Sequence, residues 1–541
     1  MYSKIEYKTV VFVSFENHYA PCGGLSAVMK MLPPIMSKSI KTVLLSPLFF
    51  NIEKTKKALE SRILVETDLK GNVLYAGKNH PINLYKSTEF SEFKNYSIFL
   101  IKSERFFLAG ENPYIDTWRE NALFHDSYFF SKSIPIALGL IKDEFNPPYI
   151  LNLQDWETAL VADVMPSTLP NKCVLTLHNP YDEDLPNDPQ GRTILQYVIP
   201  KLHGLSTVSE HYSYELQNDV LQRDILARKL KGQFQYLNPI GINNGNFVEL
   251  SFPENISNSE EIISEKLKNR RAFNNLLAHQ EELNPTWGEK IDLMKGDRPI
   301  FLLFGRDDPK QKGFDVAAAA IYRLLKKRGK NLAIFIFTLI PDRYGLINLA
   351  YLKDLALEFS KNVMIFPFRL SAGYAELQKA SNFIIMPSYY EPFGAANEGY
   401  ASGVPVIARA TGGFVQQVCP ENFEALPESI KKYLKWYHKD IIKSTGYLYR
   451  EHPSTETPDN WRYLFGTDFT KPRSIQEPVD WRNPIFWSMV SELEKVIEEA
   501  IMLYNNNKKK YCEMILNGIK LFKKFTWEKS AKKYKNLLYH I

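Results

Sequence analysis

Two consecutive series of short apolar runs, each run closing on a polar loop, constrain the fold of this chain more than any other feature. The first series opens with TVVFVSF (9–15), a loop containing Gly23-Gly24, the helical stretch LSAVMKML and the strand-like KTVLLSPLF. Strand, glycine loop, helix and strand in this order begin a doubly wound parallel sheet. Later strand-like runs in this series are YSIFLI (96–101), PYILNL (148–153), KCVLTL (172–177) and GLSTVS (204–209).

The second series lies between residues 299 and 408. Its strand-like runs are PIFLLFG (299–305), NLAIFIF (331–337), NVMIFPF (362–368), SNFIIMP (381–387) and VPVIA (404–408). Residues 250–296 are polar and charged and contain no strand-like run, so a domain boundary is predicted there. The pattern predicts an α/β protein with two Rossmann-like lobes facing a central cleft, whose ligands bind where the strands end.

The size and charge of the chain limit its partners. With 541 residues, 45% hydrophobic and 24% charged, it should be a soluble protein of more than one domain. A net charge of +6 suits a phosphate-bearing ligand without indicating nucleic acid. Wide spacing of the cysteines argues against a zinc site or a disulfide framework: Cys22, Cys173, Cys419 and Cys512. No apolar run reaches the ~20 residues of a membrane helix, and the N-terminal run is too short for a signal peptide, so a cytoplasmic protein without a membrane span is expected.

The segment GRDDPKQKGFD (305–315) places two cations at the mouth of a strand–loop–helix unit. Arg306 follows the run PIFLLFG, and Lys312 stands six positions later, before a helical run that Gly329 should end. A diphosphate suits this pair, because arginine grips two oxygens at once and lysine adds a compact charge. The alternative is a solvated basic loop.

The segment EPFGAANEGYASGVPVIARATGGF (391–414) adds two acids and a glycine turn. Glu391 is predicted to precede a helix that begins at Pro392 and contains Glu398. Thr411-Gly412-Gly413 is predicted to open a further helix, whose free N–H groups and positive dipole end favour phosphate. Because a phosphate would repel a carboxylate, Glu391 is predicted to bind hydroxyls of a sugar attached to that phosphate. The alternative is that Glu391 only caps its helix.

Together these segments resemble the glycogen/starch synthase family, which comprises retaining glucosyltransferases with the two-lobed GT-B fold. In the second series the resemblance rests on GRDDPKQKG, PSYYEPFG, RATGGF and the tail FTWEKSAKKY (525–534). In the first series FENHYAPCGGLSAV resembles the family's Lys-x-Gly-Gly-Leu region, and LQDWETAL resembles its His-Asp-Trp motif. Further resemblances are ENPYIDTWRENALFHDSYFFSK (111–132), TLHNP, STVSEHYSYEL and LNPIGI. The order and number of these motifs make the resemblance specific outside 250–296 and 450–485.

The resemblance implies a role for each matching residue of the second series. Arg306 and Lys312 would hold the donor diphosphate, and Glu391 would bind hydroxyls of the donor glucose. The turn Thr411, Gly412 and Gly413 would contact phosphate. Two further donor-binding positions are implied: Glu398 and Arg369. Arg369 stands where the family has an aromatic residue that stacks on the base, which arginine can also do.

The resemblance also implies roles in the first series. His178 would lie near the reactive carbon, with Asn179 against the donor sugar. The backbone at Gly23 and Gly24 would contact phosphate. Two residues would line the sugar and acceptor site: Asp155 and Asn238. Basic residues would replace a metal, so no cofactor is implied beyond the co-substrate, ADP-glucose or UDP-glucose.

The chain departs from the family pattern at three places. Pro21 stands where the family has the lysine of its Lys-x-Gly-Gly motif. Arg306 and Lys312 stand six positions apart rather than the five of bacterial-type members. Glu391 and Glu398 have six intervening residues rather than seven, which leaves open that Glu398 is a surface or helix-packing acid.

The implied domains are an N-terminal lobe on the acceptor side (1–270), a C-terminal lobe on the donor side (271–510), and a helix at 511–541 that returns to the first lobe. Residues 450–485 would form an insertion in the donor lobe. The implied reaction moves glucose from a nucleotide-diphosphate glucose, by default to the non-reducing end of an α-1,4-glucan. Two alternatives remain: a protein or small-molecule acceptor, and a non-catalytic relative that binds nucleotide sugar or glucan.

Overall fold

The chain forms two compact units. A computed structural model describes residues 7–115, 121–169, 171–329, 332–341, 345–370, 372–439, 443–468, 474–475 and 483–540. The first unit comprises Met1–Phe247 and Thr526–Ile541, and the second comprises Val248–Phe525. None of the helices in the described ranges combines the length and apolar character that crossing a membrane requires.

A mixed sheet forms the centre of the first unit. Its strands are β1 (Thr9–Val13), β2 (Lys41–Pro47), β3 (Leu64–Tyr75), β4 (Lys78–Ser87), β5 (Tyr96–Lys102), β6 (Tyr149–Gln154), β7 (Asn171–Leu177), β8 (Gly204–Thr207) and β9 (Ile240–Gly241). They are arranged in the order β3-β4-β5-β2-β1-β6-β7-β8-β9. Strand β4 pairs antiparallel with β3 and β5, and the remaining pairs are parallel.

Helices cover this sheet and complete its core. They are α1 (Gly24–Ser37), α2 (Glu53–Glu60), α3 (Ala122–Leu140), α4 (Trp156–Ala159), α5 (Val161–Val164), α6 (Ile194–Val198), α7 (Glu210–Asn218) and α8 (Lys231–Tyr236). Strand residues Phe12 and Leu44 share one buried cluster with Met29 of α1. Parallel strands covered on both faces read as continuous apolar runs, which is why the sequence predicted them.

The second unit contains a parallel sheet. Its strands are β10 (Ile300–Asp307), β11 (Ile334–Pro341), β12 (Val363–Phe366), β13 (Phe383–Met386), β14 (Val406–Arg409) and β15 (Gly446–Tyr449), in the order β12-β11-β10-β13-β14-β15. Its helices are α9 (Ser259–His279), α10 (Phe314–Arg328), α11 (Ala350–Glu358), α12 (Tyr374–Ala380), α13 (Ala396–Ala401), α14 (Phe414–Gln417), α15 (Glu428–Tyr437), α16 (Pro458–Phe465), α17 (Pro484–Asn506) and α18 (Lys508–Phe522). Gly329 follows α10 with φ of 88°, as predicted for its C-cap.

The boundaries between the units differ from the predicted ones. Residue 270, the predicted end of the first lobe, lies inside the continuous helix α9, so the boundary falls earlier, after Phe247. The chain rejoins the first unit at Thr526 rather than at residue 511, because α18 packs in the second unit. The last helix, α19 (Trp527–His540), is fixed in the first unit by a hydrogen bond from Trp527 Nε1 to the carbonyl of Asn246 at 2.7 Å.

The strand order places the loops that matter for function. In each unit the first strand lies beside the fourth parallel strand, β1 beside β6 and β10 beside β13, and the chain winds outward on both sides of this pair. Open α/β sheets bind ligands at such a switch point, beyond the carboxyl ends of the strands. The loops after β1, β6, β10 and β13 are therefore the places to look for a site.

Candidate functional site

The loop between β10 and α10, which contains Lys312 and directly follows Arg306 and Asp307, is called the cation loop. Arg306 is the last residue but one of that strand and is exposed. The carbonyl of Asp308 then accepts hydrogen bonds from the N–H groups of Gln311 and Lys312, at 3.0 and 2.8 Å, which closes a tight turn. Gly313 has φ of 62°, and a Cβ there would lie 2.3 Å from the carbonyl oxygen of Pro387. The loop after β10 is thus packed against the loop after β13.

The two loops are joined by an ion pair between predicted site residues. Lys312 Nζ donates to Glu391 Oε2 at 2.7 Å, and Ser388 Oγ donates to the same oxygen at 3.2 Å. Both partners are largely shielded, with side-chain exposures of 23% for Lys312 and 13% for Glu391. Helix α13 begins at Ala396 rather than at the predicted Pro392, so Glu391 lies too far ahead of it to act as its cap.

Glu398 belongs to the same charged cluster. It is the third residue of α13 and is half-buried. Burial raises the pKa of Glu398 to about 7; Lys312 and Arg369 lower this pKa, and Glu391 raises it. Arg369 is exposed in the loop after β12, and its charge also reaches Tyr374, the first residue of α12. The structure therefore places both acids near the cations and adds Tyr374, an aromatic residue that the sequence analysis missed.

The turn Thr411-Gly412-Gly413 differs from its prediction. The helix that follows, α14, has only four residues. The N–H of Thr411 donates to the carbonyl of Arg409 at 2.8 Å, and that of Gly413 donates to the carbonyl of Glu391 at 3.0 Å. Within the described part of the chain, only the N–H of Gly412 lacks a hydrogen-bond partner in this turn. Gly412 has φ of 46°, and a Cβ there would lie 1.8 Å from the carbonyl oxygen of Glu391, so the turn supports the loop of Glu391.

The predicted insertion supplies a buried ion pair. Arg409, at the end of β14, donates to both carboxylate oxygens of Glu451, with Nε at 2.8 Å, and also donates to the carbonyl of Tyr389. Its guanidinium lies 5.2 Å from the ring centroid of Trp461 on α16. Tyr389 in turn donates its main-chain N–H to the carbonyl of Gln311 at 2.7 Å. The described residues of the segment 450–485 thus brace the cation loop; residues 469–473 and 476–482 lie outside the described ranges.

In the first unit an acid occupies the turn predicted to contact phosphate. Glu16, which follows β1 and is 4% exposed, accepts hydrogen bonds from the N–H groups of Cys22 and Gly23 at 2.9 and 2.8 Å. Its other carboxylate oxygen accepts from Tyr114 Oη at 2.7 Å. The helix α1 begins at Gly24, so its N-terminal dipole already faces a carboxylate of the same chain. Within the chain, Glu16 thus accepts from the N–H group of Gly23 that was predicted to contact phosphate.

Three predicted residues meet beyond β6 and β7. Asp155 accepts hydrogen bonds from the main-chain N–H of His178 at 2.6 Å and from Asn179 Nδ2 at 3.1 Å. The backbone of Asp155 has φ of 56°, an uncommon conformation for a residue with a side chain. Asn179 Oδ1 accepts from the N–H of Tyr181 at 2.8 Å, so both ends of its amide are bound. The carboxyl group of Asp155 thus orients the loop that carries His178.

Burial keeps the ionisable groups of this cluster neutral. Burial, with a smaller contribution from the Glu16 carboxylate, raises the pKa of Asp155 to about 8. Burial and the neighbouring Asp155 raise the pKa of Glu157 well above its usual range. Burial lowers the pKa of His178 to about 3. At neutral pH the site offers mainly uncharged hydrogen-bonding groups, which suit hydroxyls.

Asn238 does not join this cluster. It is exposed and lies before β9, at the amino end of the outermost strand of the sheet. Asn243 and Asn244 follow that strand, and Asn243 Oδ1 accepts from the N–H of Glu210 at 3.0 Å. Asn244 is buried, and its Oδ1 has no hydrogen-bond partner in the described chain. Within the same ranges no set of three or more His, Cys, Asp or Glu side chains is arranged to hold a metal ion.

Known protein families match both units of the chain. The model described as the starch synthase catalytic domain matches residues 9–227, and the model described as glycosyl transferases group 1 matches residues 289–442. The two matches begin at or near the first strand of each unit and include the loops described above. The two units of the chain therefore match two different family models.

Individual relatives point in the same direction. An uncharacterised glycosyltransferase of Methanocaldococcus jannaschii is 27% identical over 188 residues, which is 31% of this chain and 46% of that protein. A probable glycogen synthase of the same organism is 30% identical over 174 residues, 32% of this chain and 29% of that protein. The chain thus spans less than half the length of these curated relatives.

A solved structure matches the whole fold. The catalytic domain of starch synthase IV from Arabidopsis thaliana, bound to ADP and acarbose, has a TM-score of 0.68 and 18% identity, and the match covers 98% of each chain. At this identity the likeness shows the fold, two α/β units of the GT-B type. The chain thus has the GT-B fold, and the family models and the relatives support its likeness to the glycogen/starch synthase family.

Proposed function

We propose that the protein is a retaining glycosyltransferase that moves glucose from a nucleotide-diphosphate glucose to an acceptor, by default the non-reducing end of an α-1,4-glucan. The observation that carries this proposal is the contact between Lys312 and Glu391 at 2.7 Å. It brings a cation suited to a diphosphate within reach of a carboxylate suited to sugar hydroxyls, at the switch point of the sheet. A nucleotide-diphosphate sugar carries both groups in one molecule.

The charges of the second unit suit the bond that breaks. Cleavage of a sugar–phosphate bond develops negative charge on the departing diphosphate, and preorganised cations stabilise that charge. Arg306 has no hydrogen bond or ion pair with any described residue, so its guanidinium is available for phosphate. Lys312 would exchange Glu391 for phosphate, which frees Glu391 for hydroxyls. Because these cations meet the leaving charge, we propose that turnover needs no metal ion.

The remaining residues fit secondary roles in this proposal. Tyr374 and Arg369 offer an aromatic ring and a planar cation for stacking on the base of the nucleotide. In the first unit, His178, Asn179 and Asp155 offer neutral hydrogen-bonding groups for a sugar. Asp155 and His178 would bind hydroxyls without a charge penalty, because burial keeps both uncharged.

A donor panel tests the proposal. Purified protein is incubated with ADP-, UDP- and GDP-glucose, with and without glucan, and release of the nucleoside diphosphate is measured. We expect one donor to be consumed faster when glucan is present, with no loss of rate after chelation of divalent metals. Consumption of a donor that no glucan accelerates would favour a protein or small-molecule acceptor. Binding of a nucleotide sugar without consumption of any donor would favour a non-catalytic relative.

A further inference from the structure

A chain of buried amide and hydroxyl groups leads from the interior of the first unit to His178. Gln154, the last residue of β6, is 1% exposed, and its Oε1 lies 2.8 Å from His178 Nε2. Gln154 Nε2 lies 2.9 Å from Asn152 Oδ1 and 3.3 Å from the carbonyl oxygen of Asn152. Asn152 Oδ1 also accepts from Thr176 Oγ1 at 3.0 Å. The nitrogen end of the Gln154 amide thus faces two oxygen atoms of Asn152 that can accept hydrogen bonds.

The donor and acceptor roles in this chain follow from its chemistry. A main-chain carbonyl only accepts, so the nitrogen end of the Gln154 amide must face Asn152. The oxygen of that amide therefore faces His178, and because it also only accepts, His178 Nε2 must carry a hydrogen. Burial lowers the pKa of His178 to about 3, so the ring is neutral and its other nitrogen, Nδ1, holds the lone pair. Nδ1 makes no hydrogen bond with a described residue.

We propose that Gln154 is a positioning residue that holds His178 as a single neutral tautomer, hydrogen on Nε2 and lone pair on Nδ1, so that His178 acts as a hydrogen-bond acceptor for a hydroxyl of the substrate. The inference deepens the proposed function and rests on it for the identity of the hydroxyl. Among the described residues, Asp155 is the titratable residue that makes a hydrogen bond with His178, and it accepts from the main-chain N–H rather than from the ring. Gln154 is therefore the group that fixes the ring.

The position of Gln154 in the sequence supports this role. It stands in LQDW, where the resembling family motif begins with histidine. A neutral imidazole can either donate or accept at a given nitrogen, whereas a glutamine oxygen can only accept. Glutamine at this position therefore leaves one arrangement of the hydrogen on His178. Glutamate would keep the same acceptor but add a negative charge, which favours the charged imidazolium.

The test reads the tautomer directly. In protein labelled with ¹⁵N-histidine, long-range ¹H–¹⁵N spectra identify which ring nitrogen carries hydrogen, and a His178→Asn variant assigns the signal. We expect His178 to carry hydrogen on Nε2 and to stay neutral down to pH 5. In Gln154→Glu we expect the measured pKa of His178 to rise by about one to three pH units, the effect of a nearby opposite charge. Gln217→Glu, at a half-buried position on α7, should leave it unchanged.

Two outcomes would overturn the inference. One is hydrogen on Nδ1, or a mixture of tautomers, in the unmodified protein. The other is an unchanged pKa of His178 in a folded Gln154→Glu variant; if this variant does not fold, the tautomer of the unmodified protein decides. Neither reading needs a nucleotide sugar, so it is independent of the proposed function. As a second readout, turnover by Gln154→Glu should decrease at pH values below the raised pKa of His178 and recover at pH values above it. Gln217→Glu should keep the pH profile of the unmodified protein.

Discussion

At the scale of single residues, the ion pair between Lys312 and Glu391 joins the two charges that the proposed reaction needs. The pair is shielded, so each charge is compensated while the site holds no phosphate. A diphosphate would compete with Glu391 for Lys312 and would also reach Arg306. The two cations therefore contribute most when charge develops on the leaving group.

We predict that Arg306→Ala and Lys312→Ala each lower turnover by at least about a hundredfold, the scale of losing one preorganised charge contact in a transition state. Steady-state release of nucleoside diphosphate measures this. Lys310→Ala is the matched control, because Lys310 is an exposed lysine of the same loop that has no assigned role. If both variants turn over at nearly the rate of the unmodified protein, the diphosphate does not bind at this loop.

Glu391→Ala should separate the sugar from the diphosphate. We expect affinity for the whole nucleotide sugar to fall about ten- to hundredfold, which corresponds to roughly 1.5–3 kcal/mol for a lost charged hydrogen-bond partner. Affinity for the free nucleoside diphosphate should stay the same or increase, because the carboxylate of Glu391 no longer competes with the diphosphate for Lys312. Titration calorimetry with both ligands measures the difference, and Glu376→Ala on α12 serves as control. An equal loss for both ligands would mean that Glu391 only supports its loop.

Asp155 should impose a pH dependence on stability. Its pKa is raised to about 8 by burial, against about 3.9 in an unfolded chain, so between these values the folded protein holds a proton that the unfolded chain has lost. Stability therefore falls as pH rises through this window, by up to about 1.4 kcal/mol per pH unit. Asp155→Asn should flatten the fall measured by denaturant unfolding from pH 5 to pH 8, and Asp143→Asn, at an exposed position, should not. If the stability of Asp155→Asn falls with pH as steeply as that of the unmodified protein, Asp155 is not protonated in the folded state.

At the scale of elements, the parts of the site that could be predicted are those that follow a buried strand. Strands β10 and β13 are continuous apolar runs because helices cover both faces, and the loops after them carry Arg306, Lys312 and Glu391. The hairpin of β3 and β4 was missed because its strands carry polar residues on both faces. Its two-residue turn, Ala76-Gly77, has positive φ at both positions and was the available signal.

Contacts between distant elements could not be predicted in this way. Glu16 meets the N–H of Gly23 only because the loop after β1 folds back, and Tyr114 reaches the same carboxylate from 98 residues away. The pairing of Arg409 with Glu451 likewise depends on how the segment after β15 packs. No local spacing contains this information, which is why the partners of Gly23 and Thr411 within the chain, Glu16 and Arg409, were not predicted.

A substitution in the turn after β14 tests whether this turn supports the loop that carries Glu391. Gly412→Ala would place a Cβ 1.8 Å from the carbonyl oxygen of Glu391 at a φ of 46°. We expect the free energy of unfolding to fall by about 1–3 kcal/mol or more. Turnover should fall as well, because the loop of Glu391 must move. Gly139→Ala, a glycine of α3 with no heavy atom within 4 Å of the added Cβ, should be neutral or stabilising. Normal stability and turnover in Gly412→Ala would show that the turn does not support Glu391.

At the scale of the whole molecule, each unit has its own switch point and its own kind of site. The second unit concentrates cations beside two acids, whereas the first unit presents acids and a histidine that burial keeps neutral. A reaction that transfers a neutral sugar from a diphosphate needs both kinds of environment. We propose that the two environments serve one transfer reaction, whose product would be a new glycosidic bond.

Analysis of the product tests this claim most directly. The protein is incubated with nucleotide-diphosphate glucose labelled in the sugar and with a maltooligosaccharide acceptor, and the label is followed into the product. We predict that labelled glucose joins the oligosaccharide in α-1,4 linkage and that amylase releases it. Consumption of the donor with label on a protein or a small molecule would discard the glucan acceptor and keep the transferase. Absence of label from any product, with nucleotide sugar bound, would contradict the account.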